Sequence, residues 1–139
     1  MRTVEDEDGD RYLLLKESGE SSLVRDPDSG ERRHVPNETL EPVAGESPLA
    51  TAAGAVAEPV RTLLTAAPDE RALGLLLELD ERGPLGVRAL LEYDLCESDL
   101  HGLLAEFRAA GLVTETAVAG ERGYETTEVA SEGLDRLRR

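Results

Sequence analysis

The chain has 139 residues, of which 40% are apolar, and its 30 acidic and 15 basic side chains give a formal net charge of −15. That length suits one compact domain or a small domain with an appendage. With no Trp, one Phe and three Tyr, the chain has too few aromatic rings to stack the bases of single-stranded nucleic acid, and its single cysteine excludes an internal disulfide and a cysteine-based zinc cluster.

The first part of the chain predicts a small antiparallel sheet. Residues 1–9 are polar and are expected to be frayed. The strand-like runs "RYLLLKES", "SSLVRD" and "ERRHVP" follow, separated by the turn sequences "SGE" and "DPDSGE". We therefore predict a three-stranded meander over 11–36, which offers a dimerisation, sensing or protein-docking element, and a linker with two prolines over 37–48.

The next segment predicts an Ala-rich helix with one smooth face, which Pro59 breaks or kinks near Glu58. Small residues recur along it at the spacing of one helix face, namely Ala50, Ala53, Gly54 and Ala57. Together with the excess apolar surface of the following helix, including Leu73 and Leu77, this face predicts helix packing in a homodimer.

The remaining sequence predicts three helices, a hairpin and a short terminal helix. The first helix, over 68–83, has Pro and acidic residues at its start and Gly83 after its end. The second covers 84–94, and the third, over 97–110, buries a stripe formed by Leu100, Leu103, Leu104 and Phe107. Two alternating strands flank the tip "GERG", and "SEGLDRLRR" closes the chain as a helix capped by Ser131.

These elements predict an α+β fold with two parts, a meander with its linker over 1–47 and a helical connector with a winged helix-turn-helix over 48–139. The text "GPLGVRALLEYDLCESDLHGLLAEFRAAGLV", followed by "GERGYETTEVASEGLDRL", resembles winged-helix transcriptional regulators of the MarR, PadR and ArsR type. More narrowly, it is similar to small winged-helix proteins of haloarchaea. The resemblance covers 69–139 and implies a cytoplasmic, homodimeric regulator of transcription that binds double-stranded DNA.

In that family the second helix of the motif lies in the major groove, and the hairpin, or wing, touches the DNA backbone or minor groove. By position, the groove-facing candidates are Glu97, Ser98, Asp99, His101, Gly102 and Ala105, and the wing candidates are Glu121 and Arg122. Helix geometry makes Ser98, Gly102, Ala105 and Ala109 the centre of the outward face. The expected phosphate contacts come from Arg88, Arg108 and Arg122.

This helix has few side chains suited to direct base reading, because bidentate contacts to bases need Arg, Lys, Asn or Gln and none of these lies at the centre of its outward face. Only Ser98 and His101 could reach a base edge, so we expect low or shape-based specificity. The alternative is that the smooth outward face packs on another helix, such as the small-residue stripe over 50–57. The chain would then be an interaction or dimerisation adaptor that does not read DNA.

The negative charge does not decide between these alternatives. High acid content with Lys16 as the one lysine is typical of proteins from halophiles that accumulate salt. In molar salt the Debye length is about 3 Å, so phosphate does not strongly repel an acidic protein. Counterion release, which normally drives non-specific DNA binding, is also weak there.

Other chemistry is poorly supported by the sequence. Cys96 stands where Ser or Thr often caps a recognition helix, either as a redox-sensing thiol or as an ordinary turn residue. No nucleophile elbow, P-loop or dinucleotide-binding motif is present, and the two histidines are isolated, so we expect no enzyme activity, cofactor or metal. No apolar run approaches the roughly 20 residues of a membrane span.

Overall fold

The computed structural model describes residues 1–138 and is α+β, with an antiparallel N-terminal sheet and six helices. The chain divides into two compact units, Met1–Ala57 and Glu58–Arg139. The sequence placed the boundary ten residues earlier, after residue 47. The segment between the two positions joins the first unit because its helix α1 (Pro48–Ala53) contacts the N-terminal strands.

The first unit contains five antiparallel strands in the spatial order β4-β3-β2-β1-β5. Their bounds are β1 Arg2–Glu5, β2 Arg11–Glu17, β3 Ser21–Arg25, β4 Arg32–Pro36 and β5 Glu41–Pro42. The predicted meander is confirmed as β2, β3 and β4. The prediction that residues 1–9 fray is wrong, because β1 pairs with β2 and buries Thr3 and Val4. Strand β5, which pairs with β1, lies inside the segment that was predicted to be a linker.

Both faces of this sheet carry buried side chains. One face holds an apolar cluster of Val4, Tyr12, Leu14 and Val24. The guanidinium of Arg33 donates a hydrogen bond to the Tyr12 hydroxyl and lies 5.1 Å from the centre of its ring. On the other face, helix α1 brings the Thr51 hydroxyl within 2.6 Å of the buried Thr3 hydroxyl. This hydrogen bond fastens α1 to the first strand.

The predicted Ala-rich helix is two helices, so its small-residue face does not exist as one surface. Helix α1 ends at Ala53, with Gly54 as its C-cap, and α2 (Glu58–Ala66) begins four residues later. Ala57 falls between the helices, and Ala50, Ala53 and Gly54 are exposed. Pro59 occupies the first turn of α2, where proline is tolerated, so it begins a helix rather than kinking one.

The second unit combines the remaining helices with a three-stranded antiparallel sheet in the order β6-β8-β7. Its further elements are α3 Glu70–Arg82, β6 Leu85–Gly86, α4 Val87–Leu91, α5 Glu97–Ala109, β7 Val113–Val118, β8 Glu121–Thr126 and α6 Glu128–Leu137. The predicted helices and hairpin are confirmed in outline. Ser131 is not a cap, because α6 begins earlier and the Thr127 hydroxyl accepts from the Ala130 amide at 3.3 Å.

A single apolar core joins the helices and sheet of the second unit, and Phe107 of α5 is fully buried in it. Leu73 and Leu77 are partly buried against this core. The carboxylate of Asp80 on α3 accepts hydrogen bonds from the hydroxyls of Thr126 at 3.0 Å and Ser131 at 2.5 Å. One side chain thus links α3, the end of β8 and α6.

Helices α2 and α6 approach each other closely at Gly133, which is buried. A methyl group at this position would lie 2.6 Å from the Leu63 side chain and 2.7 Å from the Pro59 carbonyl oxygen. Glycine therefore sets the separation of the two helices. None of the helices in the described part of the chain has the length and apolar character needed to cross a membrane.

Candidate nucleic-acid interface

Helix α5 has one buried and one open face, as the spacing of its leucines predicts. Leu100, Leu104 and Phe107 are buried, and Leu103 is partly buried at the edge. The outward residues Ser98, Gly102, Ala105 and Ala109 are all exposed. Apart from its two chain neighbours and the backbone of its own helix, a methyl group added at Gly102 would meet no atom of the described residues within 4 Å. The open face is therefore smooth and uncovered by the described residues.

Cys96 begins this helix as its N-cap. Its sulfur accepts a hydrogen bond from the Asp99 amide at 3.4 Å, and the side chain is exposed. Glu97 and Asp99 lie in the first helical turn, where negative charge interacts favourably with the helix dipole. Both acids are thus in positions that stabilise the helix itself.

The polar candidates on α5 are few. Ser98 lies on the open face, and Nε2 of His101 is 3.6 Å from a carboxylate oxygen of Glu97. Arg108 lies in the last turn and is about half exposed. No Arg, Lys, Asn or Gln occupies the centre of the open face, so a duplex would meet backbone, hydroxyl and methyl groups there.

The three candidate phosphate contacts are all paired with glutamates. Nη1 of Arg108 on α5 is 3.6 Å from Glu115, and Nε of Arg122 on β8 is 2.7 Å from the same carboxylate. Nε of Arg88 on α4 is 3.7 Å from Glu121, whose carboxylate also accepts from the Arg88 amide at 3.3 Å. These contacts link α4, α5 and the hairpin through two carboxylates.

The hairpin tip differs from the predicted one. The turn is Ala119–Gly120, and φ values of 49° and 82° at these residues are typical of a type I′ turn. Glu121 and Arg122, predicted to lie in the tip, are the first residues of β8.

The true turn also sets the register of the hairpin. Arg122 pairs with Ala117, so it is the diagonal neighbour of Glu115 on one face of the hairpin. The predicted tip at "GERG" places Arg122 in the turn, where it has no diagonal neighbour on the other strand. For that reason Glu115 was not predicted as a partner of Arg122.

A shallow groove of about 350 Å³ runs beside the open face of α5, between that helix and the start of α3. Its charged lining residues are Asp69, Arg71, Asp99 and Glu106. Arg71 lies 4.0 Å from Asp99, so it offsets one of the three carboxylates. The groove as a whole is acidic, in contrast to the arginines on α4, α5 and the hairpin.

One acidic cluster lies in the first unit. Carboxylate oxygens of Asp6, Asp8 and Asp10 come within 4.8 Å of one another in the turn between β1 and β2. One oxygen of Asp6 accepts from the amides of Asp8 and Asp10 at 2.9 and 3.0 Å, which is ordinary turn chemistry.

Comparison with known proteins gives one match. No curated protein and no solved structure matches the chain. A model of a family of unknown function, DUF7346, matches residues 1–138. Since the match covers both units, the chain belongs to the DUF7346 family.

Proposed function

We propose that this protein is a non-enzymatic regulator of transcription that binds double-stranded DNA through a winged helix-turn-helix in its second unit. The observation that carries the proposal is the order α3, β6, α4, α5, β7, β8, with β8 at the centre of the small sheet. This order is similar to that of the winged-helix regulators that the sequence resembles, which supports the proposal. In such proteins the helix equivalent to α5 enters the major groove, and the hairpin contacts the neighbouring backbone.

The smooth face of α5 suits close approach more than base reading. Ser98, Gly102, Ala105 and Ala109 are exposed and small, which lets the helix backbone come near the base edges. Bidentate recognition of guanine or adenine is absent from this face. Specificity then depends on Ser98, His101 and the shape of the duplex, and we expect it to be low.

To bind DNA phosphates, these arginines must give up their ion pairs with the glutamate carboxylates. Arg88, Arg108 and Arg122 are all at least half exposed, and exposed ion pairs are worth only about 0.2–1 kcal/mol. A phosphate can therefore displace Glu115 and Glu121 at small cost. The overall charge of −15 opposes approach at low salt, and molar salt screens that repulsion beyond about 3 Å.

Footprinting and mobility shift in molar KCl, on the DNA upstream of the protein's own gene, test the proposal. The wild type gives a saturable footprint, and Arg122→Glu weakens it and lowers the slope of log Kd against log [KCl] by about 0.9, the value for one phosphate contact. The matched control, Arg32→Glu, makes the same charge change at an exposed arginine of β4. No footprint, or equal losses in the two variants, refutes the proposal.

A second variant tests the role of Glu115. Because this carboxylate contacts both Arg108 and Arg122, Glu115→Gln frees two cations for phosphate. We expect DNA binding to tighten by up to about fivefold, the factor that corresponds to 1 kcal/mol. Unchanged or weaker binding would show that these arginines do not contact the duplex.

The acidic groove beside α5 favours a second candidate function, an adaptor whose open face binds a basic segment of a protein partner. A photo-crosslinking residue placed at Ala105 separates the two functions, with the same reagent at the exposed Ser29 as control. DNA adducts formed at position 105 alone support the regulator. Protein adducts without DNA adducts support the adaptor.

A further inference from the structure

A basic surface lies on the first unit, toward the β4 edge of its sheet. Lys16 of β2 and His34 of β4 both pair with Leu23 of β3, so their side chains lie on the same face of the sheet. Arg25, two residues after Leu23, and its cross-strand partner Arg32 share that face. Helix α1 contacts the sheet at β1 and β2, and beyond it Lys16, Arg32 and His34 are exposed. We call these three residues and Arg25 the basic edge.

These cations lie together although the chain has 30 acidic and only 15 basic side chains. Arg25 and Arg32 are directly opposite one another, an arrangement of like charges that destabilises a sheet. Neither these two nor Lys16 has an ion pair or a side-chain hydrogen bond with a residue among 1–138. Charge and proline at an edge strand protect it from aggregation, which accounts for Arg32 and Pro36. Lys16 and Arg25 lie on inner strands, where no edge needs protection, and they indicate an anionic partner.

Strand β4 also presents backbone groups that the sheet does not use. Counted from the Asn37 amide, which donates to the Glu20 carbonyl at 2.9 Å, every second pair of the antiparallel β3–β4 ladder is hydrogen-bonded. The N–H and C=O groups of Arg32 and His34 therefore point away from β3, toward the open side of the edge. Pro36, which has no N–H, ends this row. An added strand can thus bond to β4 at Arg32 and His34.

We propose that the basic edge binds an extended acidic segment of a partner protein, which adds to the sheet as a further antiparallel strand beside β4. Residues of the segment opposite Arg32 and His34 direct their backbone groups to β4 and their side chains to the basic face, with Cβ atoms about 5 Å from those of β4. The segment therefore has carboxylates at alternate positions. A nucleic acid fits less well, because its phosphates cannot donate hydrogen bonds to the carbonyls of the edge. The proposal does not depend on DNA binding.

Fluorescence anisotropy of a labelled peptide tests this docking, with the full chain titrated at the lowest KCl concentration at which circular dichroism shows it folded. The probe is a peptide of alternating threonine and glutamate, about ten residues long. The wild type is expected to bind it saturably, and Arg32→Glu should raise the Kd about 5–30-fold, because an attraction becomes a repulsion. The control Arg138→Glu makes the same charge change at an exposed arginine of the second unit and should leave the Kd unchanged.

Backbone methylation of the probe tests the strand geometry without changing the protein. Methyl groups on the glutamate amides block the hydrogen bonds to Arg32 and His34 and should raise the Kd at least about fivefold. Methyl groups on the threonine amides, which point away from β4, should leave the Kd unchanged.

Four results would each overturn the proposal. The first three are a wild type that does not bind the probe, equal losses in Arg32→Glu and Arg138→Glu, and equal effects of the two methylations. The fourth is loss of duplex DNA binding in Arg32→Glu but not in Arg138→Glu, because phosphate would then be the ligand of the basic edge.

Discussion

Replacement of Gly133 by alanine tests how α6 packs on α2. The new methyl group would lie 2.7 Å from the Pro59 carbonyl oxygen and 2.6 Å from a methyl carbon of Leu63. The leucine can rotate away, but the carbonyl belongs to the backbone and can move only if the helices separate. Overpacking of this kind costs about 1–3 kcal/mol, and alanine returns up to about 1 kcal/mol of helix propensity. We therefore expect a net loss of up to about 2 kcal/mol in the free energy of unfolding.

Gly102→Ala provides the matched control, because it makes the same chemical change in another helix of the same unit. A methyl group there meets open space, so only helix propensity acts and we expect a gain of about 1 kcal/mol. Urea denaturation of the full chain in molar KCl, followed by circular dichroism at 222 nm, measures both variants. The two substitutions should shift the midpoint in opposite directions with unchanged m-values. A Gly133→Ala variant stabilised as much as Gly102→Ala would refute the close packing of α2 on α6.

Other contacts give predictions that the same denaturation assay checks. Asp80→Ala should cost about 1–3 kcal/mol, since two hydroxyls lose their shared acceptor, and a smaller loss would mean that water replaces it. Thr51→Val should cost about 1–2 kcal/mol by leaving the buried Thr3 hydroxyl unpaired, whereas Thr51→Ser should be nearly neutral. Cys96→Ala should cost about 0.5–1 kcal/mol through the lost cap, and Cys96→Ser should not. Burial raises the pKa of Tyr12, so the folded state favours the neutral phenol. Stability should then fall as pH rises above about 10, and Tyr12→Phe should reduce that fall.

The parts of the fold that could be predicted are those with local signals. The leucine spacing of α5 predicts its buried face, and the alternation in β7 and β8 predicts a hairpin. The strands that were missed, β1, β5 and β6, have four, two and two residues, too few for alternation to show. Each becomes a strand because a partner strand supplies hydrogen bonds, and for β5 and β6 that partner is distant in sequence.

The candidate interface was predictable in its residues but not in its electrostatics. The sequence identifies Arg108 and Arg122 as cations, yet their shared partner Glu115 follows from hairpin register, which depends on the turn. The Gly133 contact is similar, because nothing near that glycine in the sequence shows that α2 packs against it. The small residues over 50–57 gave a wrong prediction for a different reason. Their regular spacing suggested one helix, but it continues across the break between α1 and α2.

The shared acceptor Asp80 has a mechanical consequence for the hairpin. Its bond to Thr126 holds the last residue of β8 at the root of the hairpin, while β6 pairs with Gly123 and Tyr124 and Arg88 contacts Glu121 beside the turn. The hairpin is thus supported at its root, along β8 and beside its turn, and removal of the Asp80 carboxylate would leave two of these three supports to hold the turn in place.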